Sequence, residues 1–219
     1  ADAHASARAV AGWVTRARGG RGAVREVADA ILAARADEAV PFHVVIPARM
    51  TSTRLPGKPL AMIGDRPMIA HVWQRAVDAG ARSVVVAHDD DRIGDAIVAL
   101  GGQAMRTRAD HVSGSDRIAE VVAARGWADD DIVVNLQGDE PDMPASALRL
   151  AATRLARTPG AGIATLATPI HTGAELTNPA VVKVVLDERG LARTFSRAPM
   201  PWARDAFAAG IPDVLPADV

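Results

Sequence analysis

From residue 42 onward, short runs of β-branched and other apolar residues alternate with stretches of helical spacing. The strand-like runs are HVVIP, SVVVAH, DIVVNLQ and a weaker QAMRT. The helical patterns are PMIAHVWQRAVDAG, DRIGDAIVALGG, SDRIAEVVAARG and PASALRLAATRLAR. Strands that are apolar along their whole length need cover on both faces, and helices lie between them in the chain. The alternation therefore predicts an α/β fold with a mostly parallel sheet and helices on both faces.

The pattern changes at both ends of this region. After residue 160 come AVVKVVLDERG and LARTFSRAPMPW, in which DERG is typical of a turn between two antiparallel strands. We expect this part to extend the parallel sheet. Before residue 40, an amphipathic helix is predicted around Val24, Val27, Ala28, Ile31 and Leu32. The sequence thus predicts a helical extension over 1–40 and one α/β domain over 41–219.

Composition excludes several classes of function. The chain has 219 residues with 25 Lys and Arg against 26 Asp and Glu, so it lacks the positive field that holds nucleic acid. Cysteine is absent, which excludes disulfides and thiolate metal sites. No apolar run is long enough to span a bilayer, and the first residues lack a secretory pattern. We expect a cytoplasmic protein whose partners are small molecules rather than nucleic acid or membrane.

The first strand leads into a strongly cationic loop. The stretch VVIPARMTSTRLPGKPL, residues 44–60, carries Arg49, Arg54 and Lys58 between prolines that limit its freedom. The loop follows a buried strand, at the edge where open α/β sheets bind ligands, so these cations suit a polyphosphate. A solvated basic loop is the alternative. Neither GxxxxGK[ST] nor GxGxxG is present, which excludes a P-loop NTPase and disfavours a dinucleotide site.

Two further segments reach the same edge. NLQGDEP, residues 135–141, brings Asp139 to the end of a strand, where it can hold Mg²⁺ together with substrate phosphate oxygens. A turn or helix cap is the alternative for that carboxylate. TRADHVSGSDR, residues 107–117, leads with Arg108, Ser113 and Gly114 into a helix whose first amides suit a base edge or an anion. It can equally be a capped loop.

Together these motifs resemble one enzyme family. IPARMTSTRLPGKPL, TRADHVSGSDRIAEV, VNLQGDEP, NPAVVKVVLDERG and FSRAPMPW occur in the order and at the spacing of the 3-deoxy-manno-octulosonate cytidylyltransferases, or CMP-Kdo synthetases, from residue 42 to about 210. The resemblance implies a Rossmann-like sheet of the nucleotide-diphospho-sugar transferase type. It also implies CMP transfer from CTP to Kdo with release of pyrophosphate, for lipopolysaccharide biosynthesis, with a Mg²⁺ requirement and a homodimer.

The resemblance assigns roles to individual residues. Its triphosphate-binding loop matches Arg49, Arg54 and Lys58, and its metal-binding aspartate matches Asp139. The residues that it makes catalytic are Lys58, Arg49 and Asp139. Its segment that holds the cytosine nucleotide matches Arg108, Ser113 and Gly114. Its position between nucleotide and sugar matches Gln137, and its position near the sugar-acid pocket matches Arg197.

Two segments of the family pattern have no counterpart in this sequence. They are a RHIGIYAYR-like strand and a GVDTPEDL stretch with a second metal-binding aspartate, so the expectation is a chain lacking the family's C-terminal part. Three hypotheses follow: an active CMP-Kdo synthetase, an inactive remnant that binds CTP, or a related synthetase that uses another acidic sugar such as an amino-Kdo or a sialic acid.

Overall fold

The computed structural model describes residues 40–51 and 55–216. The helix predicted over 24–32 and the predicted site residue Arg54 lie outside the described residues. The chain divides into two compact units, one ending at Ala164 and the other beginning at Thr165. Each unit is described by itself, and the predicted domain boundary at residue 40 stays a prediction.

The first unit contains a parallel sheet of four strands. Their order is β5-β4-β1-β6, formed by Gln103–Arg106 (β5), Ser83–His88 (β4), His43–Ala48 (β1) and Val133–Asn135 (β6). All six residues of β1 are buried. A small antiparallel pair, Met62–Ile63 (β2) and Arg66–Pro67 (β3), was not predicted. The parallel sheet itself is confirmed.

Strand β6 is shorter than the predicted run 131–137. Its pairing with β1 continues by one hydrogen bond on each side, because the His43 amide donates to the Ile132 carbonyl and the Leu136 amide donates to the Val45 carbonyl. The bonded stretch is therefore close to the predicted one. The chain leaves the sheet directly after it, at residues 137–139, which line the site described below.

Helices cover both faces of the sheet. They are Met68–Asp78 (α1), Asp91–Val98 (α2), Gly114–Arg125 (α3) and Ala145–Ala156 (α4). Alternate residues of β1 enter two apolar clusters: Val44 and Ile46 pack with residues of α1, α2 and α4, whereas Val45 packs with Val121 of α3. Each such buried side chain contributes about 1.5–3 kcal/mol. No helix in the described part of the chain is both long and apolar enough to cross a membrane.

The second unit is built around a hairpin. Strands Lys183–Leu186 (β7) and Ala192–Ser196 (β8) pair antiparallel on either side of the predicted turn, and a short helix, Gly173–Thr177 (α5), precedes them. The hairpin is confirmed, whereas α5 was not predicted. The two strands form a sheet of their own rather than lengthening the parallel sheet. A tight turn lets two adjacent strands pair with each other without a third strand, so their pattern specifies no further partner.

Candidate functional site

The first unit has a cleft of about 560 Å³ at the carboxyl ends of β1 and β6. It is lined by the strand ends, the cationic loop, the start of α3 and the segment after β6. Predicted site residues that line it are Arg49, Lys58, Gly114, Gln137 and Asp139. The carboxyl ends of neighbouring parallel strands meet at one edge, and this edge collects three motifs that are far apart in the sequence.

The cationic loop closes on itself. The carbonyl of Met50 accepts a hydrogen bond of 3.1 Å from the amide of Gly57, and the amide of Lys58 donates to the carbonyl of Leu55. Gly57 has a φ of 71°, in the left-handed region that favours glycine. A short 3₁₀ helix, Lys58–Leu60, follows at once. This closure returns the chain to the end of β1 and brings Lys58 to the wall of the cleft.

Lys58 and Asp139 form an ion pair in the cleft. The Nζ of Lys58 donates to the Oδ2 of Asp139 at 2.7 Å, and the side chains are 36% and 51% exposed. Exposed ion pairs contribute about 0–1 kcal/mol, so this one adds little to the stability of the fold. Both groups can therefore exchange their partner for a ligand at low cost. The pair joins the cationic loop to the NLQGDEP segment.

Gly138 allows the segment after β6 to reach the cleft. A Cβ atom there would lie 2.8 Å from the carbonyl oxygen of Pro47 and 3.6 Å from atoms of Ala48. Only glycine fits so close to the end of β1, and its neighbours Gln137 and Asp139 line the cleft as a result. Sequence reasoning did not select Gly138. The sequence does contain a signal for it, because Gly138 stands between the predicted strand and the acidic residues Asp139 and Glu140.

The start of α3 forms another wall. Gly114 and Ser115 line the cleft, and the first amides of a helix carry partial positive charge. Ser113 caps the helix: its hydroxyl accepts from the amide of Asp116 at 3.2 Å and donates to the Asp116 carboxylate at 2.7 Å. That hydroxyl bond lowers the pKa of Asp116. Ser113 is not among the described residues that line the cleft, so the structure uses it as a cap.

Arg108 and Arg197 have other partners in the structure. The guanidinium of Arg108 is exposed and donates to Asp110 at 2.9 and 2.6 Å, a bond that raises the pKa of Arg108. Arg108 does not line the cleft as described. Arg197 belongs to the second unit, where its Nη1 donates to the carbonyl of Pro179 at 2.7 Å. Their roles toward a ligand stay predictions.

Comparison with known proteins agrees with the motifs. The family model described as cytidylyltransferase matches residues 43–213. The 3-deoxy-manno-octulosonate cytidylyltransferase of Methylococcus capsulatus is 56% identical over 173 residues, which cover 78% of this chain and 67% of that protein. The enzyme of the same name from Pseudomonas fluorescens is 57% identical over 178 residues, 81% of this chain and 70% of that protein.

A solved structure supports the same relationship. A CMP:2-keto-3-deoxy-manno-octonic acid synthetase complexed with CTP superposes with a TM-score of 0.66 and 40% identity, covering 80% of this chain and 71% of that chain. The predicted fold class and the resemblance to CMP-Kdo synthetases are confirmed. This chain belongs to the cytidylyltransferase family.

Proposed function

We propose that this protein is a nucleotidyltransferase that transfers CMP from CTP to the anomeric hydroxyl of Kdo. The oxygen of that hydroxyl bonds to the α-phosphorus of CTP and its proton is released, the bond from the α-phosphorus to the bridging oxygen breaks, and pyrophosphate leaves. The observation that carries the proposal is the pairing of Lys58 with Asp139 at 2.7 Å in the cleft of a cytidylyltransferase fold. The relatives' activity supports the same reaction.

The cationic loop is proposed to hold the triphosphate. Arg49 offers planar donors that match phosphate oxygens, and Lys58 offers a compact charge for the oxygen that leaves with pyrophosphate. Arg54 is assigned to the same task by the family resemblance. Phosphoryl-type transfer depends mostly on positioning and on electrostatic stabilisation, so a closed, proline-stiffened cationic loop suits it.

Enzymes of this type use a divalent metal ion, and we infer that it is Mg²⁺. The residues present fit such an ion: Mg²⁺ prefers one or two carboxylates plus substrate phosphate oxygens, and Asp139 presents a half-exposed carboxylate on the cleft wall. Asp139 would hold it. When bound, the ion would neutralise charge on the phosphate oxygens. Among the described residues no cluster of three or more His, Asp or Glu is placed to bind metal.

The remaining predicted residues are proposed to orient the substrates. Gly114 and the first turn of α3 would contact the nucleotide, and Gln137, which lines the cleft, would lie between nucleotide and sugar. Arg108 and Ser113 are proposed to reach the cytosine nucleotide, and Arg197 to reach the acid group of Kdo. The exposed pair of Arg108 with Asp110 contributes little, so a ligand can replace Asp110 at low cost. A homodimer is proposed from the resemblance, and light scattering tests it.

The proposed reaction is tested by product analysis. The protein is mixed with CTP, Mg²⁺ and Kdo, pyrophosphate release is followed, and the nucleotide product is weighed by mass spectrometry. We expect equal amounts of pyrophosphate and CMP-Kdo, and none without Kdo or the metal ion. A thermal shift with CTP but no release would instead indicate a protein that only binds the nucleotide. Release with a sialic acid but not with Kdo would reassign the acceptor.

A further inference from the structure

The base of the cationic loop is held by a residue outside the loop. The Oδ1 of Asp89, which follows β4, accepts a hydrogen bond of 2.9 Å from the amide of Met50. Met50 directly follows Arg49, and its carbonyl accepts the bond from Gly57 that closes the loop. Both polar groups of the Met50 backbone are therefore engaged. The Asp89 side chain is only 9% exposed, so its bond to Met50 is shielded from water.

Asp89 is in turn faced by a buried arginine. Arg117, in the first turn of α3, is 0% exposed, and its Nη2 lies 3.8 Å from the Oδ2 of Asp89. Its Nη1 donates to the hydroxyl of Thr107, which donates to the carbonyl of His88 at 3.1 Å. The Nε and Nη2 of Arg117 have no hydrogen-bond partner in the described part of the chain. This chain of contacts joins the segments after β1, β4 and β5 to α3.

Stability alone is a weak reason for such a pair. Taking both charges out of water costs more than a 3.8 Å contact returns, and well-packed apolar side chains of similar volume often stabilise a fold equally. Burial lowers the pKa of Arg117, and the neighbouring Asp89 opposes that shift. The location of the pair offers a better reason, because it fixes Met50 on one side of the cleft and the start of α3 on the other.

We propose that Asp89 and Arg117 are positioning residues for the nucleotide triphosphate: Asp89 fixes the cationic loop through the amide of Met50, and Arg117 orients Asp89. This inference rests on the proposed function of the loop as the triphosphate site. It predicts a loss of affinity that depends on the β- and γ-phosphates, because the displaced groups are the loop cations. CMP has a single phosphate and so would lose fewer contacts to Arg49 and Lys58 than CTP.

The test compares Asp89→Ala with Asp131→Ala by titration calorimetry of CTP and CMP. Asp131 is a matched control, because it also accepts a backbone amide bond, from Ala128 at 2.9 Å, and lies 3.8 Å from a basic side chain, that of His43. We expect Asp89→Ala to weaken CTP binding about tenfold, or about 1.4 kcal/mol, and CMP binding less than twofold. Asp131→Ala should leave both affinities unchanged.

Conservative variants separate positioning from folding. In Asp89→Asn the amide oxygen still accepts the Met50 bond, so we expect CTP affinity within about threefold of wild type. If Asp89→Ala does not fold, the double variant Asp89→Asn with Arg117→Met, in which both side chains are neutral, is measured in its place. That double variant should fold and bind CTP about fivefold more weakly than Asp89→Asn alone, since nothing then orients the amide.

Several outcomes would overturn the inference. They are unchanged CTP affinity in Asp89→Ala, equal losses for CTP and CMP, or the same loss in Asp131→Ala. Failure of the proposed function can be told apart from failure of this inference. A wild-type protein that binds CTP but releases no pyrophosphate with Kdo would overturn the proposed reaction, yet its affinities for CTP and CMP could still be compared with those of the variants. A wild-type protein that bound neither nucleotide would overturn both.

Discussion

The two units of this chain are organised by different forces. The first, through Ala164, buries two strands and parts of four helices in two apolar clusters. In the described part of the second unit, the buried hydrophobic residues are Leu176 and Phe207, and Lys183 is buried as well. Its groove of about 920 Å³ is lined mostly by apolar residues, among them the half-exposed Leu186 and Phe195. Apolar burial shapes the first unit, whereas polar contacts set the backbone of the second.

Two lysines show the difference most clearly. Lys58 of the first unit is 36% exposed and has one carboxylate partner, Asp139. Lys183 of the second unit is 1% exposed, and its Nζ donates to the carbonyls of Asn178, Val181 and Arg197 at 2.8–2.9 Å. An ammonium group has three donors, so Lys183 has none left for a ligand. A buried lysine whose three donors are all engaged is structural, whereas a partly exposed lysine with one partner can still bind a ligand.

The largest expected effect is on turnover. In Lys58→Ala we expect pyrophosphate release to fall about 100-fold or more, because the charge proposed to stabilise the transition state is lost. The unfolding free energy should change by less than about 1 kcal/mol, since the ion pair is exposed. Steady-state kinetics and urea titration measure the two quantities.

The control is Arg125→Ala, which removes an exposed cation in the last turn of α3. We expect that variant to turn over at the wild-type rate. Wild-type turnover in Lys58→Ala would remove this residue from the site and with it one side of the comparison.

The next effect is on stability and should be confined to the second unit. In Lys183→Met three carbonyl acceptors lose their donor, which we expect to cost about 2–3 kcal/mol. Amide hydrogen exchange should speed up in β7 and β8 while β1 and β4 keep their protection. Arg193→Met, an exposed change on β8, is the control. Equal loosening of β1 would show that the two units do not differ as described.

A smaller effect is expected at the glycine that shapes the cleft. In Gly138→Ala the new Cβ would crowd the Pro47 carbonyl at 2.8 Å, and overpacking of this kind costs about 1–3 kcal/mol. Asp139 should shift with it, so we expect a clear fall in kcat with only a small fall in the thermal midpoint. Gly162→Ala is the control, because nothing lies within 4 Å of its Cβ. Normal kcat in Gly138→Ala would contradict the close approach.

The smallest expected effect is a difference in acid sensitivity. Burial lowers the pKa of His88 and His43 below 6.5. As pH falls, these histidines therefore take up protons in the unfolded chain before they do so in the folded one. The first unit should therefore lose stability as pH falls below about 6.5. In the second unit, hydrogen bonds from Thr172 to Glu175 and from Leu191 to Asp187 lower the pKa of each carboxyl, so its loss begins only below about 4.5.

Hydrogen exchange at several pH values, corrected for intrinsic rates, measures this difference. Protection in β4 should decline between pH 6.5 and 5 while protection in β7 holds. Replacing His43 and His88 together by Gln should flatten the decline in β4. A decline that begins at the same pH in both units would contradict the assignment to buried histidines.

Much of the fold was predictable because its signals are local. The strands His43–Ala48 and Ser83–His88 follow from runs of buried β-branched residues, and the helix Gly114–Arg125 ends at Gly126, whose φ is 62°. The hairpin around DERG follows from its turn residues. Helix α5 was missed although Thr172 and Glu175 form a capping box, because its five residues are too few to show a helical period.

The candidate site was predictable in part. The position of a motif after a strand was enough to bring Arg49, Lys58 and Asp139 to one cleft. The same reasoning did not foresee that Arg108 pairs with Asp110, and it left open the capped loop that Ser113 forms. These partners are close neighbours in the chain, and which one a polar side chain takes depends on the geometry of the folded loop.

The sequence by itself determined the alternation of strands and helices, the family, and the edge of the sheet where ligand-binding groups collect. Periodicity and turn chemistry act over a few residues, so they can be read from the chain. Only the tertiary structure decided that Asp89 bonds the Met50 amide and faces Arg117, that Gly138 makes room for Asp139, and that Lys183 is structural. Those facts depend on burial and on contacts between distant segments, which no local pattern encodes.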